Sequence, residues 1–166
     1  MSHSVTITRT TTTTSGSAIV VNTGYMKTFP GLLKFAQLIL GAFIVGILGY
    51  YIRRLNYIGS IAGAELFFFV IAVAFLIGTF CLLLSCLISL STGGIISKTI
   101  YELIYHTIAF ILYLAASIAF LVEVVNRISS RSSIYDWYMA ASVMGLVNSA
   151  LYLISAFLAQ RSYRGI

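Results

Sequence analysis

Charge is what this sequence has least of. Ten Lys and Arg and four Asp and Glu make up 8% of 166 residues. A soluble globule carries about a quarter of its residues charged, so a water-solvated fold is excluded and lipid must be the solvent for most of the surface. Pro30 is the one proline, so almost nothing interrupts the long apolar runs. Cysteine is as scarce: Cys81 and Cys86 lie inside a single apolar run. Five residues apart on a helix, they point to different faces and are poorly placed to bridge each other. The polar connections contain no cysteine, and none of Asn22, Asn56, Asn126 and Asn148 has Ser or Thr two residues on. A disulfide-stapled ectodomain and N-glycosylation are therefore not expected.

Catalytic patterns are missing too. No His, Cys, Asp or Glu group has metal-ligand spacing, and no glycine-rich loop precedes a lysine to cradle phosphate. A Ser-His-Asp set could be assembled only from scattered residues. No polar segment is long enough to fold as a catalytic domain. Neither enzyme activity nor a cofactor or metal is expected.

What remains is hydrocarbon. The chain is 60% hydrophobic, with a mean hydropathy of +1.01. Four apolar runs, at about 32–52, 66–90, 101–125 and 137–159, each match the roughly 20 residues that cross about 30 Å of lipid. The expected fold is all-α, a four-transmembrane-helix antiparallel bundle with short loops. Residues 1–30 form a Ser/Thr-rich tail too polar to pack, residues 31–160 the membrane domain and residues 161–166 a short second tail. The tail lacks an early apolar core and a small-residue cleavage site, so no secretory signal peptide is expected. Pro30 suits a helix start, Arg53-Arg54 and Gln160-Arg161 suit span ends, and Gly93-Gly94 suits a turn.

The net charge of +6 comes from Lys and Arg scattered at the borders of the apolar runs. That distribution fits anchors meeting anionic headgroups, not a nucleic-acid surface. An even number of spans puts both tails on one side. Six basic residues fall there (Arg9, Lys27, Lys34, Lys98, Arg161, Arg164) against four on the other (Arg53, Arg54, Arg127, Arg131), which favours cytoplasmic tails. Tyr50, Tyr51, Tyr57, Tyr101, Tyr105, Tyr135, Trp137, Tyr138 and Tyr163 cluster at the borders as an interfacial belt.

Each span carries a small-xxx-small pair: Ala42/Gly46, Ala74/Gly78, Ala115/Ala119 and Ala141/Gly145. Such pairs let helices approach closely in lipid, and packing within the bundle is the expected use, with self-association the alternative. Lys34 and Glu102 fall near the tail-side interface, where long side chains snorkel. His106 lies one turn after Glu102 on the same face, placed for an interfacial hydrogen bond. Glu123 sits at the far end of the third span. Asn148 is the strongly polar residue nearest mid-span, suited to join helices, with a substrate contact as the sharper alternative. A proton-coupled transporter would want an acid at mid-membrane, and there is none. "LGYYIR", Leu48 to Arg53, fits a cholesterol pattern and makes Tyr50 and Arg53 candidate sterol contacts; "KTFPGL" and "KTIYEL" fit its reverse. Cys86, near the tail-side end of the second span, is a candidate for palmitoylation or a simple buried thiol.

The stretch "YDWYMAASVMGLVNSALYLISAFLAQRSYRG" resembles the final span of the MARVEL family. Ala140 to Ser142, Tyr152, Ser155 to Phe157 and Arg164-Gly165 are similar to the MAL and plasmolipin branch and the neighbouring chemokine-like-factor group. "GLLKFAQLILG", Gly31 to Gly41, resembles the family's first span, and "FILYLAASIAF" shares the small-residue texture of its third. The likeness covers roughly residues 30–165. Claudins and tetraspanins, with their large loops, fit worse. The loop cysteines common in the family are missing, so any loop disulfide of relatives cannot form here. The resemblance implies cytoplasmic tails and non-enzymatic work at cholesterol-rich membrane, in vesicle trafficking, membrane apposition, junctions or fusion, the last as in insect members of the singles bar type. The partners implied are membrane lipids and other membrane proteins, itself included. Channel or transporter activity, and chaperoning of one partner protein, are the rival readings. On a cytoplasmic tail, Thr10, Thr11, Thr12, Thr13 and Thr14 become candidate phosphorylation sites, each phosphate adding about −1.5 to −2 charges beside an anionic leaflet.

Overall fold

A computed structural model describes residues 23–55, 62–88 and 100–165. The threonine run, the Gly93-Gly94 turn and the last two residues of the second expected span lie outside that set. A 3-10 turn at Thr23–Lys27 leads into four α-helices: α1 Phe29–Leu55, α2 Ala62–Ile88, α3 Ile100–Arg127 and α4 Ser133–Tyr163. No strand occurs among the described residues.

Local chemistry sets the helix starts. Before α1, the Thr28 hydroxyl donates to the Tyr25 carbonyl at 2.7 Å and accepts from the Gly31 N–H at 3.3 Å. It thereby satisfies one of the orphan donors of a helix start. A Cβ on Gly31 would collide with the Tyr25 carbonyl, so glycine is what lets the turn fold back onto the helix. Ser132 caps α4, accepting from the Ile134 N–H at 3.4 Å. Asp136 in that first turn suits the positive end of the helix dipole.

All four helices are long and apolar enough to cross a membrane. The 27 residues of α1 extend about 40 Å at about 1.5 Å each, more than the hydrocarbon thickness. Hydropathy marks only the stretch in hydrocarbon, so each helix except α2 at its C-terminal end runs past its expected span into the headgroup layer.

Around the bundle the helices pack in chain order, α1 on α2, α2 on α3, α3 on α4 and α4 back on α1, with the α3–α4 face the most extensive. The inward stripe advances in steps of three and four: 34, 37, 41, 44 and 48 in α1; 65, 68, 72, 75 and 79 in α2; 106, 109, 113, 116 and 120 in α3. That is the spacing of left-handed packing near +20°. Phe43 and Phe157, more than half exposed, belong to an apolar jacket that would aggregate in water and meets lipid here.

The small-residue pairs divide differently from expectation. Ala141 and Gly145 are enclosed, but Ala42, Gly46, Ala115 and Ala119 face outward, and Ala74 is exposed while Gly78 is half-buried. A spacing of four marks a stripe on a helix without saying which stripe turns inward. In α1 and α3 the inward stripe is the one carrying Lys34, Gln37, Glu102 and His106, and the small pairs lie beside it.

A Cβ on Gly145 would meet the Phe68 ring at 2.5 Å and strike the Ser117 hydroxyl. We expect Gly145→Val to cost about 1–3 kcal/mol by overpacking and outward Ala115→Val to stay within about 0.5 kcal/mol. Thermal unfolding of the detergent-solubilised protein separates the two; equal midpoints would refute the assignment of inner and outer faces.

Candidate functional site

Polar side chains on the inward stripes meet in three layers. The first lies at the end where the chain enters and leaves the bundle. Lys34 of α1 is 2% exposed and forms an ion pair with Glu102 of α3. Its ammonium also donates to the Tyr25 hydroxyl at 2.9 Å and lies 5.7 Å from that ring's centroid. Beside it, the Gln37 amide donates to Ser155 Oγ of α4 at 2.8 Å. Burial pushes the Tyr25 phenol up to about 12, outweighing the pull of the Lys34 ammonium. Tyr25 therefore stays neutral at physiological pH, able to accept from Lys34 without adding charge.

This geometry corrects two expectations. Lys34 and Glu102 do not snorkel to the interface; each is turned inward and neutralised by the other. His106 is fully buried, and its Nε2 stands 3.5 Å from Glu102 Oε1 without a hydrogen bond. Lys34, an acid's stronger partner, has taken that oxygen.

The second layer crosses the middle. Thr79 Oγ1 of α2 shares hydrogen bonds with the Tyr105 hydroxyl of α3 at 2.9 Å and the Tyr152 hydroxyl of α4 at 2.7 Å. Tyr152 stacks on Tyr113 with centroids 5.5 Å apart. Asn148 is fully buried beside the Tyr113 hydroxyl. The third layer is at the opposite end, where the Tyr138 hydroxyl donates to Glu65 of α2 and Tyr138 meets Tyr51 edge-on at 5.4 Å.

Of the polar residues singled out in the sequence, His106 and Asn148 lie inside, in different layers. Glu123 does not join them; it pairs with Arg127 one turn on, at 2.5 Å on the half-exposed end of α3. Cys86 is 2% exposed and packs beside the Tyr25 hydroxyl, so its sulfur has no room for an acyl chain; Cys81 is the exposed thiol. The belt also divides: Tyr50, Tyr101, Trp137 and Tyr163 are exposed as expected, whereas Tyr138 is fully buried. The tyrosines at mid-span were the missed signal, since a phenol in hydrocarbon needs a partner and phenylalanine does not.

The outer face of α1 carries a groove of about 750 Å³. Ala42 and Gly46 are among its lining residues, with Phe43, Tyr50 and Tyr51, and Trp137 of α4. From Ile39 to Tyr50 it follows the helix for about 16 Å. Arg53 is exposed just beyond it. Among the described residues no three His, Cys, Asp or Glu converge as metal ligands.

A four-span helical bundle with polar residues turned inward and an apolar jacket outside defines an integral, multi-pass membrane protein. A family model described as MARVEL, membrane-associating domain, matches residues 25–158, and the chain belongs to that family. The match opens at Tyr25, the residue that accepts from Lys34. No curated protein and no solved structure gives a match.

The ion pair yields a sharp expectation. Removing one partner of a buried pair leaves an uncompensated charge, at a cost of about 3–5 kcal/mol, while an apolar replacement of both can be neutral. Lys34→Met alone should sharply lower the thermal midpoint, and Lys34→Met with Glu102→Leu should restore much of it. A double variant no better than the single would refute the pairing.

Proposed function

We propose that this protein is a non-enzymatic organiser of sterol-rich membrane, acting in vesicle trafficking, membrane apposition, junctions or fusion with both tails in the cytoplasm. Its lipid-facing surface carries the function, and the groove on α1 is the part that carries the reading. Small residues at 42 and 46 leave a shallow floor, Phe43 a wall, and Tyr50, Tyr51 and Trp137 offer hydroxyl and indole donors at the end near the headgroups. A flat, rigid lipid with one hydroxyl at its end matches that layout, and the volume lies within the range of about 300–1,000 Å³ usual for small-molecule sites. The family's membrane-associating character supports the reading. Tyr50 and Arg53 keep their proposed place at the polar end, and the tail threonines remain proposed sites of phosphorylation.

A photoactivatable sterol in living cells tests this. Label should concentrate on the peptide spanning residues 39–51 and on Trp137, and Gly46→Leu, which raises the floor, should cut it several-fold without altering expression. Label spread evenly over all four helices, or insensitive to Gly46→Leu, would remove sterol from the proposal.

Orientation has its own check. An epitope at residue 1 should stay hidden from antibody until the plasma membrane is permeabilised, and should then mark vesicles or cell contacts. Staining of intact cells would invert the topology and take the threonines away from kinases.

A further inference from the structure

We propose that the tail-side end of the bundle binds a small cluster of structural water, held in a chamber between α1, α3 and α4. A cavity of about 60 Å³ lies there, lined by Lys34, Glu102, Ser155 and Ser162 together with Pro30, Leu158 and Ala159. One water needs about 10–15 Å³ of such space, so there is room for a small cluster.

The walls are wrong for a dry void. Voids that stay dry are apolar, and this one presents an ammonium, a carboxylate and two hydroxyls. The groups around it also lack partners. The Lys34 ammonium has three N–H donors, of which two go to Tyr25 and Glu102. Gln37 gives its amide N–H to Ser155, a lining residue, while its carbonyl oxygen is buried with no protein partner. One turn deeper than Glu102, both ring nitrogens of the fully buried His106 lack one as well. Buried polar atoms are nearly always hydrogen-bonded to protein or to ordered water. Room and polar walls coincide at one place, and the unpartnered Gln37 and His106 belong to residues that contact the lining at Ser155 and Glu102; room and polar partners are the conditions for a bound water. Ser162, near the end of α4, is half-buried. The waters complete the shells of Lys34 and Glu102, so the pair stays ionised without facing lipid.

Hydroxyl-radical footprinting in ¹⁸O water tests the site on the full chain in lipid nanodiscs, because radicals born from bound water label the side chains beside it. Leu158 should acquire ¹⁸O in the wild-type protein. Ala159→Val, which fills the chamber, should abolish that label and lower the thermal midpoint by stripping a partner from Lys34. Wild-type protein without label at Leu158 would overturn the proposal. So would label that persists in Ala159→Val, since it would come from lipid-side solvent. A raised midpoint in Ala159→Val would identify a dry void and overturn it equally.

Discussion

Lys34 and Glu102 join α1 to α3, helices on opposite corners of the bundle, and much of the structure depends on that diagonal. Neighbouring helices in this ring pack side by side, as apolar helices can in any of several registers. In lipid there is little hydrophobic drive to choose among them. A charge turned inward changes the terms, because only one rotation and one height of α1 bring the ammonium to its carboxylate. Thr79 with Tyr152 and Glu65 with Tyr138 do the same for α2 and α4, the other diagonal, at two further depths. Register is thus fixed at three levels by polar contacts, while van der Waals packing around small residues such as Ala141 and Gly145 fills the space between.

The same arrangement explains the division between inside and outside. With the polar groups gathered at the centre, the outer faces are free to be apolar, and lipid contact becomes the broad surface of the protein. The groove along α1 is a local departure from that jacket, floored by small side chains that packing does not use.

The spans were legible because hydrocarbon thickness imposes a length on any apolar run, and family texture lies in those same residues. Helix ends were less legible: capping by Thr28 and Ser132 continues the helices where hydropathy has already fallen. The polar interior was only partly readable. His106 and Asn148 stand out in an apolar run, but Glu102 is 68 residues from Lys34, and no periodicity links such distant positions. Lys34 looked like an interfacial residue because its distance from the span end is all that the sequence supplies; its rotation about the helix axis decides the matter. The Ala42/Gly46 and Ala115/Ala119 pairs were assigned first to packing within the bundle for the same reason, and Cys86 stayed open between acylation and a simple buried thiol because only its depth could be judged.

The order in which the diagonals are completed has a consequence for biogenesis. A ribosome adding about 5–20 residues per second makes Lys34 roughly 3 to 14 seconds before Glu102, since 68 residues separate them. Through that interval α1 holds a lysine, and α2 an acid at Glu65, with no intramembrane counterpart yet synthesised. The inward polar contacts of the first two helices are therefore completed only when α3 and α4 arrive. The α3–α4 hairpin, joined by residues 128–132 and sharing the broadest contact, can then dock as one unit. The half of the chain made first thus carries polar groups whose partners lie in the half made last.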